Sequence, residues 1–263
     1  MKNFVKEIIA AGRMPYVSKK SMRGFNGAIS SAAETVWSPG ATYTQLLTGV
    51  AFEVVSTSAS DNGVTPGVGA RTVRLTLVNF EYVEETIDVT LNGTTAVAVT
   101  STQSRNPSSL FIACNKMEVL TAGSSLTNVG AINVRTVSGS VVKAQIPTQV
   151  GYIGQDAGFV YTIPKDCIGL LMPVIVFASG VTDAFSIYLL RKNSDGVILG
   201  EGEADIGICN TSINTGKGAL NFGSGLFIPQ KSLIELRAIT TSGAGSLTAS
   251  AELFVFEKNN TLI

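Results

Sequence analysis

Val73-Arg74-Leu75-Thr76-Leu77 and Ile87-Asp88-Val89-Thr90-Leu91-Asn92-Gly93 set apolar against polar residues with a period of two. Side chains alternate between the faces of an extended strand, so each run predicts a strand with one face on a core and the other toward solvent. Asn79 to Glu85 is the loop between them, and Asn92-Gly93 suits the positive backbone angles of a tight turn. With a further strand at Ala96 to Thr100, the segment predicts an antiparallel meander.

The same alternation spreads outward along the chain. Ser186 to Arg191 and Val197 to Gly200 flank Asn193-Ser194-Asp195-Gly196, and Leu233 to Ile239 and Leu247 to Phe256 flank a turn from Ser242 to Ser246, so both predict hairpins. Leu170 to Ala178 is too short to span a bilayer and carries Pro173, which makes it a buried strand or two. Nothing after residue 12 has helical apolar spacing over a useful length. The fold class is all-β: two antiparallel β-sandwich domains, the second jelly-roll-like, preceded by an extended basic and apolar N-terminal arm. A Gly-, Pro- and Gln-containing stretch from Ser138 to Gln155 separates the sandwiches, giving an arm at 1–24, a first domain at 25–140 and a second at 150–258.

Charged residues are 14% of the chain against about a quarter in an ordinary domain, so Ser, Thr, Asn, Gly and apolar side chains must cover much of the surface. Such a surface suits contact with other proteins. Nineteen basic residues balance nineteen acidic ones, so no global field draws the chain to nucleic acid or membrane. Locally the balance breaks: Met1 to Arg23 holds six basic side chains against Glu7 alone. Phe4, Val5, Ile8, Ile9, Arg13, Tyr16, Lys19, Lys20 and Arg23 give this arm the apolar and basic content of a tether that orders on a partner, rather than of a purely electrostatic tail. Its apolar run is interrupted at Arg13, which is read as no export signal.

The absence of histidine removes the commonest general base and zinc ligand, and with them most hydrolytic mechanisms. Glu201, Glu203 and Asp205 are spaced to share one strand face, but the surrounding Gly200, Gly202 and Gly207 read as a solvated loop. Glu84-Glu85 reads as a soluble loop tip, and Gly63 to Gly69 lacks the Lys-Ser/Thr of a phosphate cradle and is a turn-rich loop. Cys114, Cys167 and Cys209 are read as buried apolar residues in a reducing compartment. Trp37 and Tyr43 are either a core anchor at a sandwich entry or an aromatic contact for sugar or a partner chain. No catalytic residue, metal, cofactor or small-molecule substrate is expected.

In order along the chain, Gly12-Arg13-Met14, Thr35 to Tyr43, Glu53-Val54-Val55-Ser56, Gly67 to Val73, Val89 to Thr94 and Asn128 to Ile132 resemble virion structural proteins of tailed phages, while Pro15 to Ala33 departs from that pattern. Tyr161 to Lys165 and Phe227 to Ser232 look like the jelly-roll sandwiches of phage and viral surface proteins. The resemblance implies a non-enzymatic protein of the virion, assembled in the host cytoplasm, with capsid cement or decoration, head fibre and tail component all open; a compact β body, a low-charge surface and an arm able to cross a subunit boundary favour cement or decoration. Its partners would be the major capsid protein and copies of itself, as a trimer. The alternative is a tail or fibre protein that binds a host glycan or receptor.

Overall fold

The computed structural model describes residues 16–148, 154–156, 158–179, 185–195, 210–213, 216–222, 225–240 and 245–258, which form strands, turns and loops without a helix. The all-β expectation holds: three antiparallel sheets contain eighteen strands among these residues.

The six-stranded sheet is built around β18 (Gly245–Glu257), which buries Leu247, Ala249, Leu253 and Val255 on one face. One edge of β18 pairs with β1 (Val17–Ile29) along its whole length. Its other edge pairs in succession with β11 (Cys167–Leu171) and β12 (Val174–Ser179), one run interrupted at Met172-Pro173. Proline has no N–H to give the ladder, so the strand breaks there. Beyond β11 and β12 lie β16 (Leu226–Ile228) and β15 (Gly216–Leu220).

Facing it is a sheet centred on β17 (Leu233–Thr240), with β13 (Phe185–Lys192) and then β14 (Asn210–Ile213) on one side. On its other side β2 (Glu34–Thr35) and β10 (Val160–Thr162) both pair antiparallel to β17, at Arg237–Ala238 and at Leu233–Glu235. The two sheets enclose one core containing Met22, Phe159, Phe185, Ile187, Leu236 and Leu253. Between β1 and β18 the chain crosses repeatedly from one sheet to the other, as in a jelly roll.

The chain leaves this jelly roll at Val36 and returns at Phe159, whose N–H donates to the Val36 carbonyl at 3.0 Å. Between these points lies a second module of β3 (Val50–Ser56), β4 (Ala70–Asn79), β5 (Glu84–Thr90), β6 (Val97–Ala98), β7 (Leu110–Ala122), β8 (Ile132–Thr136) and β9 (Val142–Ile146). Its sheet order is β5-β4-β7-β3-β8-β9 with β6 on β3, and it closes over Phe52, Leu75, Leu77, Phe111, Met117 and Ile132. The Phe52 and Phe111 rings sit 5.6 Å apart. Each such buried apolar side chain contributes about 1.5–3 kcal/mol. The two cores share no residue.

Several sequence expectations are corrected. Residues 17–24, expected as arm, are strand: Met22 and Gly24 turn inward while Lys19, Ser21 and Arg23 turn out. With β2 they belong to the sheets of the second half, so the jelly roll draws on both ends of the chain and the first core runs on to Ile146. Leu233 to Ile239 and Leu247 to Phe256 are not a hairpin, because β17 and β18 lie in opposite sheets. The strand after Asn92-Gly93 is short and pairs with β3 instead of β5, so the meander stops at that turn. The second strand of the other expected hairpin, Val197 to Gly200, lies outside the described residues.

Candidate interaction site in the cleft between the two modules

The two modules meet through polar side chains that each sheet presents at its margin. Glu84 opens β5 and turns toward the jelly roll, where it accepts from Lys20 Nζ at 2.9 Å and the Tyr161 hydroxyl at 3.0 Å. Asn115 interrupts the apolar run of β7 and faces the backbone of β10. Its Nδ2 donates to the Thr162 carbonyl at 2.8 Å and to Glu84 at 3.1 Å, and its Oδ1 accepts from Thr162 N–H at 2.8 Å. An amide is suited to this place because it satisfies both groups of a backbone that would otherwise be buried unpaired. Burial, and then Glu84, push the Tyr161 hydroxyl well up, so it remains a donor.

Returning from the inserted module, the chain runs beside β7: Val119 N–H donates to Gly154 at 2.6 Å, and Asp156 N–H to Met117 at 2.9 Å. Asp156 in turn accepts from Met117 N–H at 3.0 Å. Burial pushes its carboxyl up to about 7 against the pull of that hydrogen bond and of Lys116. Between this link, β10, the outer face of β4 and β7, and the edge of β1 lies a cleft of about 310 Å³. Lys19, Lys20, Ser21, Met22 and Arg23 line one wall, with Thr76 and Lys116 opposite.

Of the residues singled out in the sequence, Phe4, Val5, Ile8, Ile9 and Arg13 lie outside the described residues, as do Glu201, Glu203, Asp205 and Cys209. Tyr16 is exposed where β1 begins, with a φ of 66°. Lys19 pairs with Glu252 and Lys20 with Glu84, while Arg23 is exposed. Trp37 and Tyr43 are 5% and 2% exposed, so of their two readings the structure has the core anchor and not the surface contact. Their rings meet edge to face at 5.2 Å, Trp37 Nε1 donates to the Gly40 carbonyl, and both pack on Leu233. Lys143, pushed down to about 8 by burial, sits over the Tyr43 ring at 5.1 Å, so this pair anchors the joint from both sides. Cys114 and Cys167 are buried free thiols, and burial pushes both up, Cys167 to about 11.

Glu84 and Glu85 are also corrected, because neither is a soluble loop tip. Glu84 is the hub described above, and the buried Glu85 accepts from Ser101 Oγ at 2.5 Å and Asn106 Nδ2 at 2.9 Å. Sequence reasoning missed Asn115, Asp156 and Tyr161. For Asn115 a signal existed: a lone amide closing the apolar run Phe111-Ile112-Ala113-Cys114 requires a buried polar partner.

No protein-family model matches this chain, and no curated protein matches it. Among solved structures, one of infectious bursal disease virus, Gt strain, is 10% identical, with a TM-score of 0.27, and the match covers 98% of this chain and 78% of that one. The VP2 subviral particle of the same virus is 12% identical at a TM-score of 0.24, covering 99% of this chain and 79% of that one. Likeness of this size says nothing about what the chain does.

Proposed function

We propose that this chain is a non-enzymatic structural protein of a virus particle, of the tailed-phage kind, which binds the particle's shell as a homotrimer in the manner of a cement or decoration protein. The observation that carries the reading is the outer face of the six-stranded sheet. There Phe227, Leu170 and Phe254 stand in one row across three strands, and Lys217, Phe177 and Thr248 in another. Phe227 is 66% exposed and Phe177 50%, with Ile175 beside it. Aromatic and aliphatic side chains left exposed on a sheet face, on a chain with so few charges, are what protein–protein assembly buries. The ordered sequence resemblance to phage virion proteins supports the same reading.

The glycan-binding alternative drew on Trp37 and Tyr43 as exposed aromatics, and both are spent inside the joint. Quantitative mass spectrometry of purified particles tests the proposal. A copy number comparable to that of the major shell protein is the expected result. A copy number fitting one vertex moves the chain to the tail, and absence from particles refutes a structural role.

A further inference from the structure

β1 is an edge strand. It pairs with β18 on one side only, and its other side forms a wall of the cleft. Five successive residues, Lys19 to Arg23, line that wall, although their side chains alternate between the two faces of the sheet. Only a strand seen edge-on presents successive residues to one cleft. The ladder fixes which main-chain groups look outward. Glu257 N–H donates to the Tyr16 carbonyl, so in antiparallel alternation Ser18, Lys20 and Met22 turn their N–H and C=O toward β18. Lys19, Ser21 and Arg23 therefore turn theirs into the cleft, where no backbone among the described residues meets them.

Open edges are usually protected by lysine, which sets like charge against like when two identical edges approach. Here Lys19, Lys20, Arg23 and, across the cleft, Lys116 outnumber the two carboxyl groups of the lining, Glu84 and Asp156. Glu84 answers Lys20, Glu252 answers Lys19 and Glu118 answers Lys116, while Arg23 makes no ion pair among the described residues. Such an edge rejects a second copy of itself and admits a strand of opposite charge.

We propose that the free edge of β1 is an acceptor site for an extended acidic polypeptide segment of another protein, which adds to the six-stranded sheet as a further strand. The incoming main chain pairs with Lys19, Ser21 and Arg23, and its carboxylates meet Arg23 and Lys116. The site does not depend on where the chain resides, so the full chain alone tests it.

Fluorescence anisotropy with a short alternating Val/Glu peptide, capped and labelled, is the measurement, with an alternating Val/Lys peptide as its counterpart. Saturable binding of the acidic peptide is expected, with the basic peptide about tenfold weaker or worse. Added salt weakens the acidic complex. Ser21→Pro removes an outward N–H without touching the β18 ladder and is expected to abolish binding at an unchanged melting temperature. Should that variant misfold, Arg23→Glu on the exposed face inverts the preference between the two peptides. Hydrogen exchange gives a separate reading: the amides of Lys19, Ser21 and Arg23 slow on binding, whereas those of Lys20 and Met22 are protected beforehand. Equal affinity for the two peptides, no binding to the wild type, or wild-type binding by Ser21→Pro overturns the proposal. So does binding that appears only after Met1 to Pro15 is deleted, an outcome that assigns the edge to the chain's own N-terminal segment.

Discussion

Asp61 holds three loops of the inserted module together and touches no cleft. It is fully buried, and its Oδ1 accepts from the N–H groups of Ala70 and Val129, both at 2.8 Å. Its Oδ2 accepts from Ser56 Oγ at 2.6 Å and Gly130 N–H at 2.8 Å. Gly69 abuts the same carboxylate, and a Cβ there would strike Oδ1, which is why this turn carries glycine. Removing the acceptor strands buried donors, each costing about 1–3 kcal/mol. Asp61→Ala is therefore expected to lower stability by about 3 kcal/mol or more. Asp61→Asn, which keeps one acceptor oxygen, should fall between alanine and wild type. Urea titration of the three proteins decides it, and midpoints that coincide would remove Asp61 from this role. The stretch Gly63 to Gly69 was legible as a turn-rich loop, but the carboxylate that organises it was not. Its donors come from residues 56, 70, 129 and 130, and no local pattern joins them.

At the scale of elements, the link at 154–156 lies along β7 and brings Asp156 into a place that raises its carboxyl from the ordinary 3.8 to about 7. Between those values the folded chain holds a proton that the unfolded chain has lost. Stability should therefore fall as pH rises from about 4 to about 7, with no further loss from this group above that. Asp156→Asn should flatten that fall, melting with the wild type at pH 4 and above it at pH 8, as read by thermal unfolding at both values. Identical pH profiles would mean that the link does not desolvate its carboxyl. Which elements the sequence disclosed follows from the range of their partners. β4 and β5 are adjacent, each has one buried and one open face, and a period of two is enough to find them. β1 alternates too, but charge interrupts it and its inward residues meet partners more than two hundred positions away, so it read as an arm. β17 and β18 were seen as strands, and their separation into two sheets was hidden because a short connection serves a sandwich corner as well as a hairpin.

For the whole molecule, the decisive feature is that one strand position beside β17 is shared by β2 and β10, with an entire module inserted between them. Glu235 fastens this split position from within. It is fully buried on β17, accepts from Thr35 Oγ1 of β2, and is neutralised by Lys192 Nζ at 2.6 Å and Arg237 Nε at 2.7 Å. A buried carboxylate with two cations and a hydroxyl is costly to expose and hard to satisfy elsewhere, so it holds the break in register. The inserted module adds no residue to the jelly-roll core, and the joint between the two is made of hydrogen bonds and the Trp37–Tyr43 anchor. Val36 and Phe159 already meet through a backbone hydrogen bond, so a short turn can close the gap that excision would leave. Replacing residues 44–156 with a Gly/Ser turn is thus expected to leave a folded jelly roll that retains its strand-type circular dichroism. It should melt cooperatively at a lower temperature, because Tyr43 loses its Lys143 face and Tyr161 and Thr162 lose their partners. The inserted module expressed alone should likewise unfold cooperatively around its own Phe52–Phe111 core. If the shortened jelly roll instead exposes dye-binding apolar surface and loses its transition, the polar joint is part of the folding unit and the two cores are not independent.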